Sequence, residues 1–99
     1  MAAVDHSSLA RWRSLEATAV LRALADYAKR DVTFRPVKDR ATSRWHACVR
    51  GYEFELLLTG PKFWDTRDKR GGGGAVDLVM HLVRVDFRQA VELLRAARL

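Results

Sequence analysis

Arg67-Asp68-Lys69-Arg70 runs into four glycines, Gly71, Gly72, Gly73 and Gly74, and then into Ala75-Val76-Asp77-Leu78-Val79-Met80-His81-Leu82. Four glycines lose too much backbone freedom to hold a regular element. Val76, Val79, Met80 and Val83 follow at helical spacing. A bent glycine loop is therefore expected to deliver the chain into the first turn of a buried helix. Such a turn exposes backbone N–H donors at the positive end of a helix dipole. Cations and free donors would meet there, and an anion is the fitting guest. No lysine–serine pair follows the glycines, and no G-x-G-x-x-G follows a strand, so a mononucleotide cradle is not expected.

The remaining chemistry is cationic and aromatic. Arg35, Lys38, Arg40, Arg44, Arg50, Lys62, Arg67, Lys69 and Arg70 gather in the middle of the chain, with Trp45 and Trp64 among them. Binding a single strand needs a cationic track and aromatic faces on which bases stack. These eleven residues are the candidate contacts, and Glu53 and Glu55 are expected to mark a face that a polyanion avoids. No catalytic set stands out. Asp65, Asp68 and Asp77 are scattered, Lys69 and Arg70 oppose an Asp65–Asp68 metal pair, and no nucleophile has a base with an orienting acid. No metal site, cofactor or activity is expected from the chain alone.

The elements that must position these groups follow from periodicity. Met1 to Ser7 reads as a frayed lead-in, with Ser7 or Ser8 capping a helix that holds Leu9, Trp12 and Leu15. Ala17, Val20, Leu21, Leu24 and Ala28 continue a helical stripe, so a helix is predicted over about residues 15–28. Whether residues 8–13 join it is left open by the pattern. Asp31 to Arg35 is a short β-like run ending at Pro36, and a polar loop follows to Ser43. Trp45 to Val49 and Tyr52 to Leu58 read as strands joined by a tight Arg50-Gly51 turn. Thr59 to Lys62 is a turn, and Phe63 to Thr66 a last short strand. Helices are predicted from Ala75 to Val83 and from Asp86 onward, where Gln89 completes a capping-box pattern. The fold class is α+β: an N-terminal helix, a small antiparallel sheet of three or four strands, and two C-terminal helices on one sheet face. Residues 1–14 form a lead-in to one domain over residues 15–99.

Residues 72–82 and 85–94 resemble the zinc-binding domain of bacterial DnaG-type primases and of related plasmid and phage replication or mobilisation proteins. The resemblance extends weakly upstream, over about residues 15–96. It implies a zinc-ribbon-like sheet and contact with single-stranded template DNA. In that family zinc is held by Cys-x-x-His and Cys-x-x-Cys. Here Cys48 falls at the first ligand position, Gly51 at the second, and Thr66 and Lys69 where the second pair belongs. Three of four ligands are thus absent, so the resemblance is to a ribbon without zinc. His46 and His81 do not restore a site, and Cys48 reads as a small core residue. Trp45, Tyr52, Phe54, Phe63 and Trp64 are the mass available to hold the hairpins by packing.

The 99 residues suit one domain, and 48% hydrophobic content suits a folded one. The formal charge is +6, and residues 32–74 carry nine basic against five acidic residues, net +4. A nucleic-acid partner is the first expectation for that asymmetry. The single cysteine excludes an internal disulfide and fits a reducing compartment. No apolar run reaches membrane-spanning length and no leader is visible, so the expected location is cytoplasmic, with no membrane partner. The expected function is a single-stranded DNA-binding accessory domain of a primase or mobile-element replication protein. The alternative is a protein-docking module for a primase, polymerase or helicase that binds no DNA itself. A nucleotide-binding enzyme using the glycine loop ranks last. The apolar helix running to Leu99 suggests a piece of a longer protein.

Overall fold

The computed structural model describes residues 5–99, so the lead-in expected over Met1–Ser7 lies mostly outside the described residues. Nine elements follow: α1 (His6–Ser14), α2 (Ala17–Leu24), β1 (Tyr27–Arg30), β2 (Thr42–Val49), β3 (Tyr52–Thr59), β4 (Lys62–Asp65), β5 (Arg70–Gly72), α3 (Ala75–Val83) and α4 (Phe87–Ala96). The five strands form one antiparallel meander in sequence order. The class is α+β, with five strands rather than three or four.

The sheet has two distinct faces because side chains alternate along each strand. Trp45, Ala47 and Val49 of β2 point to the same side as Phe54, Leu56 and Leu58 of β3 and Phe63 of β4, and all are buried. Trp12, Val20, Leu21, Leu78, Val79, Leu82, Val91 and Leu94 close this core from the helices. Among the described residues, no helix covers the other sheet face.

The predicted single helix over 15–28 is two helices and a strand. Leu15 is extended, with φ −67° and ψ 132°, and the chain restarts at Ala17, whose N–H donates to the Gly60 carbonyl at 2.8 Å. That bond comes from the β3–β4 turn, so the local stripe carries no sign of it. The cap of α1 is Asp5, whose carboxylate accepts from the Ser8 N–H at 2.7 Å, rather than Ser7 or Ser8. Tyr27 to Arg30 is a strand although alanine, lysine and arginine favour helix. Pairing with β2 overrides that preference, from Tyr27 opposite Cys48 to Arg30 opposite Trp45. The β-like run at Asp31–Arg35 is a turn instead. Asp31 Oδ1 accepts from the Thr33 N–H at 2.9 Å and its hydroxyl at 2.6 Å, an Asx turn.

The other turns obey their residues. Arg50 and Gly51 both have positive φ, 51° and 85°, the geometry of a type I′ hairpin. Asp86 and Gln89 close the expected capping box on α4. Arg50, Lys69, Arg84 and Arg98 are the non-glycine residues with left-handed backbone among the described residues, and all four are basic. Gly71 and Gly72 belong to β5 and not to a loop. A Cβ at Gly71 would lie 2.7 Å from the Phe63 carbonyl oxygen and 2.8 Å from Trp64 Cε3, and one at Gly72 would lie 2.7 Å from the Phe63 ring. The glycines are there because the neighbouring strand and its aromatics press against this edge.

The capping box gives a direct test. Asp86→Ala should cost about 1 kcal/mol of stability, read as a lower urea midpoint with an unchanged slope. An unaltered midpoint would contradict the cap.

Candidate nucleic-acid interface

The outer face of the sheet presents Tyr27 and Lys29 of β1, Thr42, Arg44, His46 and Cys48 of β2, Glu53, Glu55, Leu57 and Thr59 of β3, and Lys62 and Trp64 of β4. It divides into two regions. Towards the β2–β3 hairpin tip the face is a closed polar network. Glu55 accepts from Arg44 at 3.0 Å and from Arg67 at 3.3 Å, and these arginines hold its carboxyl below the usual range against the opposing effect of burial. His46 Nε2 lies 2.8 Å from Glu53, and Tyr27 donates its hydroxyl to the same carboxylate at 2.9 Å. That bond raises the Tyr27 phenol. Tyr27 also stacks on the His46 ring. Glu55 thus occupies Arg44 and Arg67, and Glu53 occupies His46 and Tyr27.

Towards the β3–β4 turn the face is apolar and open. Leu57, Trp64 and Gly71 lie in one row across β3, β4 and β5. Trp64 is 45% exposed, and its indole rests against the bare Cα of Gly71. Phe34, Pro36 and Val37, from the loop between β1 and β2, wall a groove of about 580 Å³ above this row. Val37 is 96% exposed. Lys38, Lys62, Thr42 and Thr59 also line the groove, and the two threonine hydroxyls share a 2.7 Å hydrogen bond. Asp39 lines it too, with its carboxylate turned to the Ala41 N–H at 2.9 Å.

The sequence-predicted residues therefore separate. Arg35, Lys38 and Arg40 lie in the β1–β2 loop and Lys62 at the start of β4, all at the groove end of the sheet. Arg50, Arg67 and Lys69 lie at the two hairpin tips of the opposite end, and Arg70 opens the edge strand β5. Trp45 is no stacking face: it is 4% exposed, under the Arg22 guanidinium, with its indole N–H donating to Ser43. It sits on the inner side because it follows Arg44 on a strict alternation. Of the aromatics expected to hold the hairpins, Trp45, Phe54 and Phe63 are buried, whereas Tyr52 and Trp64 are exposed. The loop wall of Phe34, Pro36 and Val37 and the groove floor of Leu57 escaped sequence reasoning, since Phe34 reads as part of a β-like run ending at Pro36 and the loop after it as polar.

In the glycine loop one donor is already taken. Gly73 and Gly74 precede α3, but the Gly73 N–H donates to the Asp77 carboxylate of the helix itself at 3.4 Å. Three residues of β5 separate these glycines from the Arg67–Lys69 turn, about 10 Å of chain.

The positions where the resemblance places zinc ligands come to one end of the sheet, yet their chemistry does not suit zinc. Gly51 offers no ligand atom, and its N–H donates to Asp26 Oδ2 at 3.3 Å. Cys48 is half-buried on the outer face rather than in the core, with Sγ 3.7 Å from the same oxygen. Thr66 donates to the Glu55 carbonyl, and the Lys69 N–H to the Asp65 carbonyl. Asp65, Asp68 and His81 place ligand atoms within 4.8 Å of one another, but each is already engaged. Asp65 Oδ1 accepts from the N–H groups of Arg67 and Asp68, both at 2.9 Å, and Oδ2 lies 2.6 Å from His81 Nε2. Asp68 pairs with Arg84 at 3.6 Å. Asp65 is 3% exposed, and the His81 side chain, 7% exposed, lies between Phe54 and Phe63. Burial pushes the Asp65 carboxyl upward, but the Asp68 N–H, His81 and the Arg67 N–H outweigh it and hold it below the usual carboxylate range.

No protein-family model matches the chain, and no solved structure does. A curated protein of Zymomonas mobilis, described as a 65 kDa protein, is 37% identical over 43 residues. The match covers 43% of this chain and 7% of that protein. The chain therefore spans a small part of that relative's length, and the likeness carries no activity with it.

The lowered Asp65 carboxyl contributes stability that is present above the ordinary aspartate range, near pH 4, and is lost as pH falls through its depressed value. Asp65→Asn should lower the thermal midpoint at neutral pH and flatten the decline in stability below about pH 4. An unchanged acid limb in the variant would show that this carboxylate is not the group responsible.

Proposed function

We propose that this domain binds single-stranded nucleic acid, DNA in the first instance, as an accessory part of a primase or mobile-element replication protein. One observation carries the reading. Arg35, Lys38, Arg40, Arg50, Lys62, Lys69 and Arg70 make no ion pair among the described residues, while Arg44 and Arg67 are held by Glu55. A folded domain at +6 in which seven of the nine candidate cations are unpaired favours a polyanion. Four of the seven stand around an open sheet face that also offers an exposed indole, the combination single strands use. The resemblance of residues 72–94 to primase zinc-binding domains points the same way.

A second reading is a docking surface for a replication protein. Val32 and Val37, 81% and 96% exposed on the same loop, favour it. The two differ in salt dependence. If the ligand is a single strand, log Kobs should fall linearly with log salt, by about 0.7 per phosphate neutralised. Replacing Lys38 and Lys62 together by alanine should reduce that slope by about 1.4. Fluorescence anisotropy with a labelled oligodeoxynucleotide reads both quantities. No binding at low salt would sink the nucleic-acid reading and leave docking.

A further inference from the structure

The geometry points to Trp64 as a platform for one unpaired base, with the groove above it admitting single strands and refusing duplex. This rests on the single-strand reading and names how the strand is held. The indole is held by its neighbours: a Cβ at Gly71 would lie 2.8 Å from its Cε3 and 3.5 Å from its Cζ3, so only glycine admits it there, and Leu57 is its partner on the other strand. That edge is thereby seated on protein, while the indole, 45% exposed, lines the groove. Trp12 and Trp45 are 1% and 4% exposed, so Trp64 is the tryptophan with an accessible indole among the described residues.

The walls fit a base and its phosphates. Phe34, Pro36 and Val37 bound the recess with apolar surface opposite the strands. The volume of about 580 Å³ lies in the range of sites that enclose a ligand, about 300–1,000 Å³. Lys62 is two residues from Trp64 on the same face, and Lys38 stands in the loop, so ammonium groups reach the rim where a backbone would pass. The Asp39 carboxylate is turned to its own loop backbone, leaving the lysines as the free charge at this rim. In a duplex both faces of each base are covered by its neighbours. Only an unpaired base can lie against the indole.

The buried state of Trp12 and Trp45 makes Trp64 the natural optical reporter. Three probes would be titrated into the whole chain: a short oligodeoxythymidylate, an abasic strand of equal length and charge, and a duplex. The thymidylate strand should quench tryptophan emission and bind about 10-fold more tightly than the abasic strand, with the duplex no better than the latter. Trp64→Ala should bring the thymidylate affinity down to the abasic level, and Trp64→Phe should restore part of it. Because Trp64 is largely at the surface, far-ultraviolet dichroism should show both variants folded. If Trp64→Ala binds thymidylate as the unaltered protein does, or if the abasic strand binds equally well, the platform is wrong while the salt-dependent single-strand reading stands. If neither strand binds, both fall.

Discussion

The carboxylate of Asp65 holds the far half of the sheet to the helices. It ends β4, and its two oxygens do different work. One gathers the N–H groups of Arg67 and Asp68 and so fixes the turn into β5. The other meets His81 inside the core, between two phenylalanine rings. A buried carboxylate is costly unless its lone pairs are satisfied, and here three donors satisfy them. The turn then returns the chain along β4, so that Gly71 comes to lie opposite Trp64. An interaction on the inner face thus sets the shape of the outer one.

The outer face sorts its charges by position. Glu53 and Glu55 sit at the middle of the sheet and draw in Arg44, His46, Arg67 and Tyr27. Exposed pairs of this kind contribute little to stability. Their larger effect is to leave the negative charge at the other end of the face, among the described residues, to Asp31 and Asp39, whose carboxylates face their own loop backbone. The loop between β1 and β2 then supplies both the cations and the apolar wall. Strand-borne aromatics and loop-borne charge meet there, although they lie some 25 residues apart in the chain.

Much of the architecture was legible in the residues. The alternation from Tyr52 to Leu58, the Arg50-Gly51 turn, the helix at Ala75–Val83 and the Asp86–Gln89 box all rest on neighbours in sequence, and each stands where local rules place it. What local rules missed depended on distant partners. The break before Ala17 follows from a carbonyl at Gly60, and Tyr27–Arg30 is a strand only because β2 lies beside it. For the candidate site the types were readable but the sorting was not. Trp45 and Trp64 look alike in sequence, yet the first is on the inner parity of its strand and the second on the outer. Arg67 looked as free as Lys62 until Glu55 was found against it. Nothing local announces Asp65 as the partner of His81.

The basic residues with left-handed backbone carry a further implication. Arg50, Lys69 and Arg84 stand where glycine would relieve roughly 1 kcal/mol of steric conflict apiece. A chain selected for robustness alone would have little reason to keep them. Retaining long cationic side chains at the hinges of the meander and the end of α3 sets electrostatic reach against thermal tolerance. Any effort to harden this domain by consensus-style glycine replacement would therefore strip charge from its corners in the same stroke.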